Sequence, residues 1–188
     1  MKFPILAALL AAFVIPSVEA LAQRDDQFAW GIGGGATFPS GIARDNHTTG
    51  AHGTLMFGIG AVDSPFGIRF DGMYSSLGNR SGTSVVTDQG SARIFSLSAN
   101  GLFRVYGSDT RLYAIGGLGG YWYNPDGPGT TAVNDFGLNA GAGLWLPWFN
   151  GFVEARWMNL YRALPDPVTG EKGRRSARIY PVTLGIMF

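Results

Sequence analysis

Large apolar residues alternate with small or polar residues over eight separate segments of the chain. In the segment 66–76, for example, Phe66, Ile68, Phe70 and Tyr74 share one face. A period of two residues is typical of β-strands with two different faces. We therefore expect an all-β protein, whose predicted strands are 28–38, 51–61, 66–76, 91–105, 111–123, 136–146, 152–161 and 177–188.

The segment 111–123 is the exception, because it is apolar on both faces and its orientation is left open. Its large residues are Leu112, Tyr113, Ile115, Leu118, Tyr121 and Trp122. No segment shows a helical period, and the repeated glycines would each cost a helix about 1 kcal/mol.

The connections between these segments alternate in length. Residues 62–65, 106–110 and 147–151 form short connections, whereas 39–50, 77–90, 124–135 and 162–176 are long and rich in charges and turn formers. Short turns on one side and long loops on the other are typical of outer-membrane barrels. Backbone groups in a bilayer all need partners, so the sheet must close. The pattern predicts a closed, eight-stranded, antiparallel, up-and-down transmembrane β-barrel with short periplasmic turns and long extracellular loops.

The faces of the strands favour the same interpretation. One face carries large apolar side chains and the other carries small or polar ones, and a narrow eight-stranded interior has room only for packed side chains. We expect the large rings to face lipid. Aromatic clusters near the segment ends are expected to form interfacial girdles: Tyr121, Trp122, Tyr123, Trp148, Phe149, Phe152, Trp157 and Tyr161. An exported, soluble, lipocalin-like barrel with an apolar core is the alternative.

The first residues have the pattern of a secretory signal peptide. Lys2 precedes the uncharged apolar run 3–15, and small residues follow at Ala20 and Ala22. The run is too short to span a bilayer as a helix. We predict a signal peptide at 1–22, cleaved after Ala22 or alternatively after Ala20, and a barrel domain at 23–188.

Composition narrows the function classes. Charged residues make up 14% of the chain, the formal net charge is +1, and there are 29 glycines and no cysteines. Near-neutral charge gives no electrostatic footprint for nucleic acid. The absence of cysteine excludes disulfides, thiolate metal sites and a cysteine nucleophile.

Two predicted strands carry charges on the face that should point into the lumen. Arg69 and Asp71 share a face of the third segment, and Glu154 and Arg156 share a face of the seventh. Strands three and seven of eight face each other across a barrel, so we expect a salt-bridged plug. Asn100 and Arg104 on the fourth segment should enter the same region. The predicted lumen ion-pair network therefore consists of Arg69, Asp71, Asn100, Arg104, Glu154 and Arg156.

The last segment carries a resemblance to a known family. The chain ends on Phe188, and apolar residues stand at every second position before it: Ile186, Leu184, Val182 and Tyr180. This ending looks like the C-terminal signal that the barrel assembly machinery recognises. Residues 23–188 resemble the small eight-stranded bacterial outer-membrane β-barrels, such as the OmpA membrane domain and OmpX. Because the resemblance ends with the last strand, a periplasmic peptidoglycan-binding domain is not expected.

The resemblance implies a bacterial outer-membrane location and a structural or surface-interaction role, since fold alone does not select a function. Enzymes also use this fold. Lipid A deacylases need a histidine near the last strands, but the only histidines here are His47 and His52. Palmitoyltransferase barrels need an exposed His-Asp-Ser set, and His47, Asp45 and Ser40 are nominally available for it in one loop, although spacing alone gives this very weak support.

The remaining candidates are weaker. Asp45, His47 and His52 could coordinate a metal, but their spacing matches no named motif and a solvated loop is the preferred interpretation. Arg174, Arg175 and Arg178 stand where the longest loop enters the last strand. Ordinary solvated loop charge is the preferred interpretation, and contact with lipopolysaccharide phosphates, which arginine binds with two parallel hydrogen bonds, is the alternative.

The sequence thus predicts a non-catalytic barrel protein with a structural or surface-interaction role, and no catalytic residue, metal or cofactor is assigned. The expected partners are outer-membrane lipid, lipopolysaccharide, the barrel assembly machinery and a surface ligand of unknown chemistry; nucleic acid is not expected, and the protein is expected to be a monomer. The alternatives are a lipid-modifying outer-membrane enzyme and a narrow ion or water channel.

Overall fold

The computed structural model describes residues 28–60, 65–80, 90–105, 111–126, 132–164 and 175–188. Eight strands form one closed barrel in which each strand pairs antiparallel with the next and β1 pairs with β8. The predicted fold class is therefore confirmed. The strands are β1 (Phe28–Ser40), β2 (His47–Ile59), β3 (Phe66–Asn79), β4 (Ala92–Val105), β5 (Arg111–Pro125), β6 (Val133–Leu146), β7 (Gly151–Leu164) and β8 (Arg175–Met187).

Two short helical elements complete the described chain. Helix α1 (Ile42–Asn46) joins β1 to β2, and a 3-10 turn at Pro147–Phe149 joins β6 to β7. Gly41 enters α1 with φ of 56°, a left-handed conformation that glycine adopts without steric cost. None of the helices in these ranges is long and apolar enough to cross a membrane. The predicted signal peptide lies outside the described residues.

All of the strands except β4 are longer than predicted, and almost all of the extra length lies at the long-loop end. β2 begins at His47 instead of residue 51, and β3 continues to Asn79 instead of residue 76. Likewise β6 begins at Val133 and β7 continues to Leu164. The backbone ladder continues where the apolar–polar alternation fades, because pairing of N–H and C=O groups does not depend on which side chains face outward.

The outward and inward faces agree with the predicted orientation in the middle of the barrel. Phe57, Leu97 and Leu184 point away from the barrel axis and are 44%, 50% and 59% exposed, whereas Arg69 and Glu154 are buried inside. The structure also decides the orientation of β5, which the pattern left open. Leu112, Leu118 and Trp122 face outward, and Tyr113, Ile115 and Tyr121 face the interior.

A band of outward apolar residues surrounds the barrel, and we call it the belt. Its lower edge, at the short-turn end, carries the exposed aromatic residues Phe28, Phe57, Phe66, Phe103, Trp148 and Phe188. Its upper edge carries the exposed aromatic residues Tyr74, Phe95, Trp122, Phe136 and Tyr180. Between the two edges on β3 lie positions 66 to 74, about the nine residues that a tilted strand needs to cross a bilayer.

Above the belt the polarity of the outward and inward faces is reversed. Two positions beyond each upper-edge aromatic residue, the outward face becomes polar, at Ser76, Arg93, Asn124, Asn134 and Arg178, all of which are exposed. The interior at this level becomes apolar, with a buried cluster that includes Leu77, Ile94, Tyr123, Leu160 and Ile179. We call this part of the barrel the collar. Ala43 of α1 joins the same cluster and is 2% exposed, so the helix packs onto the end of the barrel.

The interior of the barrel corrects two expectations. The predicted girdle residues Tyr121, Tyr123 and Phe152 are inward and buried, at 2%, 2% and 1% exposure. Large side chains therefore fill part of the interior that we expected to hold only small residues and ion pairs. Glycines on the inner wall provide the space: a Cβ at Gly137 would collide with the ring of Tyr121, and a Cβ at Gly185 would collide with the ring of Phe152.

Candidate functional site in the barrel interior

Four charged side chains from β3 and β7 form a closed ring of ion pairs across the lumen. Arg69 Nη2 donates to both oxygens of Glu154, at 2.9 and 2.7 Å, and Arg69 Nε lies 2.9 Å from Asp71 Oδ1. Arg156 Nη2 lies 2.6 Å from Asp71 Oδ2, and its Nε donates to Glu154 Oε1. We call Arg69, Asp71, Glu154 and Arg156 the ion ring. Two cations and two anions cancel, so the ring carries no net charge.

The ring is almost completely removed from solvent: the exposed fractions of its members are 4%, 4%, 2% and 9% in chain order. The alternation of β3 and β7 directs these side chains inward, and the opposite positions of the two strands bring them within hydrogen-bond distance. Buried charges are tolerated when each one is paired and hydrogen-bonded, and removal of one partner typically costs about 3–5 kcal/mol. The ring is therefore a structural element of the interior.

Two uncharged side chains support the ring. Asn100 Nδ2 donates to Asp71 Oδ2 at 2.7 Å, and Tyr113 Oη donates to Glu154 Oε2 at 2.7 Å. The Arg69 guanidinium also lies 6.0 Å from the ring centres of both Tyr113 and Phe152, within the range of a cation–π contact. Sequence reasoning did not find Tyr113, because β5 is apolar on both faces and its inward side could not be assigned.

Arg104 belongs to a different level of the barrel from the four ring charges. It is half-buried on β4, two inward positions below Asn100, and its guanidinium lies over the inner wall at Gly67. A Cβ at Gly67 would stand 3.0 Å from Arg104 Nη2, so the glycine leaves room for this side chain. We therefore treat Arg104 separately from the ion ring.

Both histidines lie inside the barrel, which corrects their assignment to a solvated loop. His52, on β2, is held between two hydroxyl groups, with Nδ1 2.9 Å from Thr37 Oγ1 and Nε2 2.9 Å from Thr183 Oγ1. His47 is fully buried in the collar, where its Nε2 lies 2.6 Å from Tyr123 Oη. Within the described ranges, no three His, Cys, Asp or Glu side chains are close enough to hold a metal ion.

The interior consequently has layers with different chemistry. From the short-turn end upward these are a cavity of about 350 Å³, the ion ring, a hydroxyl and histidine layer around His52, and the apolar interior of the collar. A void of about 10 Å³ between the ring and the hydroxyl layer is bordered by Asp71, Arg156 and Thr183. This void is at the lower limit of the space that one water molecule occupies.

The other predicted residues lie on the outer surface. Tyr180, Val182, Leu184 and Ile186 face outward in the belt, and Phe188 stacks on Trp30 with 4.3 Å between the ring centres. The Phe188 and Trp30 backbones also exchange two hydrogen bonds, of 2.7 and 3.1 Å. The C-terminal residue is thus fixed in the sheet. Recognition by the assembly machinery stays a prediction.

Of the three loop arginines, one has a described side chain. Arg178 is exposed on the outer face of the collar, where β8 pairs it with Ser40 of β1 and Asn159 of β7. Arg175 is the first residue of β8, and its side chain is outside the described part; Arg174 is wholly outside it. The predicted contact of these residues with lipopolysaccharide stays a prediction.

Comparison with known proteins finds similarity of structure only. No family model matches the chain, and no curated protein matches it in sequence. Among solved structures, Neisserial surface protein A is 15% identical, with 85% of this chain and 94% of that chain covered and a TM-score of 0.54. The chain has the fold of the small outer-membrane β-barrels.

A second structure is similar to a lesser degree. It is Ail, the attachment invasion locus protein of Yersinia pestis, solved in complex with the heparin analogue sucrose octasulfate. Ail is 12% identical, with 86% of this chain and 97% of that chain covered and a TM-score of 0.47. The similarity of fold rests on Neisserial surface protein A, and it agrees with the resemblance that the C-terminal segment indicated.

Proposed function

We propose that this protein is a non-catalytic barrel of the bacterial outer membrane, with a closed lumen and a surface-interaction role at its long-loop end. The observation that supports this best is the exchange of faces between the belt and the collar. An apolar exterior with an aromatic edge is the surface that hydrocarbon and lipid headgroups require. A polar exterior over an apolar interior is the surface that water requires. The collar would therefore project from the membrane.

The closed lumen is inferred from the layers of the interior. The ion ring joins opposite walls of the barrel, and above it Met73, Ile94, Tyr121 and Met158 are all at least 90% buried. Interiors of eight-stranded barrels are normally filled by side chains. An ion would have to disrupt the paired charges and then cross an apolar layer, so this arrangement supports a plug over a channel.

The buried histidines argue against the alternative of a lipid-modifying enzyme. A palmitoyltransferase-like set needs an exposed histidine, but His47 is 0% exposed and bonded to Tyr123. His52 is likewise held between two hydroxyl groups inside the barrel. Neither imidazole can reach a lipid headgroup from these positions without leaving its hydrogen-bond partners.

The surface role rests on the collar and on the connections that it supports. Its exposed outward residues Ser76, Arg93, Asn124, Asn134 and Arg178 are polar or cationic and stand just above the aromatic edge of the belt. At this height a guanidinium meets lipid phosphates, so we include lipopolysaccharide as a partner of Arg178. Neisserial surface protein A is, by its name, a surface protein. We further propose export by the signal peptide 1–22, assembly through the C-terminal residues, and a monomeric state.

Orientation and location can be tested by labelling, since the chain has no cysteine. Arg44→Cys places a thiol in α1 at the collar end, and Trp148→Cys places one at a residue 80% exposed at the short-turn end. A membrane-impermeant maleimide should label the first variant in intact cells and the second only after the outer membrane is permeabilised. The reverse result, or equal labelling of both in intact cells, would contradict the proposal.

The plug can be tested by conductance. Glu154→Gln removes one charge of the ion ring and keeps the side-chain shape, and Arg80→Gln is a matched change at an exposed position. Both variants, purified as the folded form that migrates faster on gels before boiling, should leave planar-bilayer currents at the wild-type level. A clear increase in conductance for Glu154→Gln alone would show that the ring acts as a gate.

A further inference from the structure

The small void above the ion ring has no role in the proposed function. It measures about 10 Å³, close to the space that one water molecule needs. Its polar lining residues are at most 9% exposed: Thr54, Asp71, Ser96, Ser98, Arg156 and Thr183. Met73, Met158 and Pro181 complete its described lining. Empty cavities in proteins are apolar, so this polar void has the composition of a site for a small buried ligand.

Three of the lining residues hold hydrogen-bonding groups that the interior does not otherwise use. Thr54 and Ser96 are buried on either side of Met73 in the sheet, and no hydrogen bond joins their hydroxyl groups to another described residue. Arg156 uses Nε and Nη2 in the ion ring, which leaves the two N–H groups of Nη1. A hydroxyl group both donates and accepts hydrogen bonds, whereas a guanidinium only donates. The void therefore offers donors and acceptors to one small ligand.

A break in the sheet beside the void adds a backbone acceptor. β7 and β8 pair at Ala155 with Val182 and again at Met158 with Ile179, but the two positions between them form no pair. Pro181 stands opposite Arg156 in this register and has no N–H to donate, while its pairing with β1 is uninterrupted. A buried carbonyl group that loses its ladder donor needs another partner. The carbonyl of Arg156 is therefore the backbone acceptor at this break.

From these observations we propose that the void binds one water molecule, held by the guanidinium and carbonyl groups of Arg156 and by the hydroxyl groups of Thr54 and Ser96. These groups supply the two to four hydrogen bonds that a buried water usually makes. Asp71 and Arg156 border the void with opposite charges that are paired in the ion ring, so a neutral ligand is favoured over an ion. Thr183 of the hydroxyl layer also borders the void. The water thus joins the ion ring and the hydroxyl layer into one network.

The first test locates the ligand by diffraction from crystals of the folded protein, at a resolution that shows ordered water. We expect one peak in the void, within hydrogen-bond distance of Arg156 and of the Thr54 or Ser96 hydroxyl group. The absence of a peak, or side chains that close the void, would overturn the proposal. Crystals grown in bromide instead of chloride identify an anion by its anomalous scattering, and an anomalous peak at this position would also overturn it.

The second test counts long-lived internal waters by ¹⁷O relaxation dispersion of the folded protein in detergent micelles. Ser96→Val fills the void with methyl groups and should lower the count by one. Thr54→Val keeps the side-chain shape and should shorten the residence time of this water several-fold, while Thr49→Val, at an exposed position of the same strand, should change nothing. An unchanged count in Ser96→Val would overturn the proposal. Should Ser96→Val fail to fold, the diffraction peak of the wild-type protein still decides the result.

Discussion

The belt and the collar are two lengths of the same eight strands with opposite arrangements of polarity. In the belt, Leu97 and Leu118 point outward and Asp71 and Glu154 point inward. In the collar, Arg93 points outward and Ile94, the next residue along β4, points inward. The backbone ladder crosses the boundary without interruption on β4 and β5. The difference teaches that the polarity of the two faces follows the solvent at each level, while the pairing of β4 with β5 continues unchanged across the boundary.

The largest expected effect comes from opening the ion ring in the belt. Glu154→Gln leaves Arg69 and Arg156 with Asp71 as the remaining anion of the ring, so we expect a loss of about 3–5 kcal/mol in the free energy of unfolding. Urea unfolding in lipid vesicles measures this loss. A double variant, Arg69→Met with Glu154→Gln, restores charge balance and should recover part of it. A loss below about 1 kcal/mol for Glu154→Gln would mean that the ring contributes little.

The apolar interior of the collar can be tested in the same way. Leu77 is 1% exposed within the collar cluster, so Leu77→Ala should cost about 2–5 kcal/mol through lost burial and a residual cavity. Unfolding followed by the faster migration of the folded form on unboiled gels measures the change. An effect close to zero would mean that the collar is not packed as a core.

A positive charge introduced on the outer face should destabilise the protein much more in the belt than in the collar. Leu118 is 62% exposed near the middle of the belt, and Asn134 is exposed on the collar of the adjacent strand. Leu118→Arg should cost about 2–4 kcal/mol in a bilayer, while Asn134→Arg should change stability by less than about 1 kcal/mol. An equal loss of unfolding free energy for the two variants in lipid vesicles would contradict the boundary between belt and collar.

The smallest expected effect concerns one hydrogen bond in the collar. Tyr123→Phe removes the hydroxyl that lies 2.6 Å from His47 Nε2 and leaves a buried imidazole nitrogen without that partner. We expect a loss of about 1–3 kcal/mol. The control Tyr74→Phe changes a hydroxyl on the exposed outer face and should be nearly neutral. The opposite ranking of the two variants would contradict the buried position of His47.

Much of the belt could be predicted from the sequence, because strands with two different faces produce a regular alternation. Arg69, Asp71, Glu154 and Arg156 were assigned to the lumen from that alternation and the order of the strands. The alternation does not predict the collar, since residues such as Leu77 and Tyr123 stand just before turn-rich sequence and are therefore assigned to a loop or to an outer girdle. Large apolar side chains point outward in the belt and inward in the collar of the same strand. The alternation of apolar and polar residues therefore does not by itself show which face points into the barrel.

The sequence by itself determined the number of strands, their order and the outward face of the belt, because a two-residue period and the turn signals between segments are local properties. Only the tertiary structure decided the orientation of β5, the burial of His47 and His52, and the part of Tyr113 in the ion ring. These depend on side chains that approach across the barrel from strands far apart in the chain. Closure of the sheet brings them together, and that closure is a property of all eight strands at once.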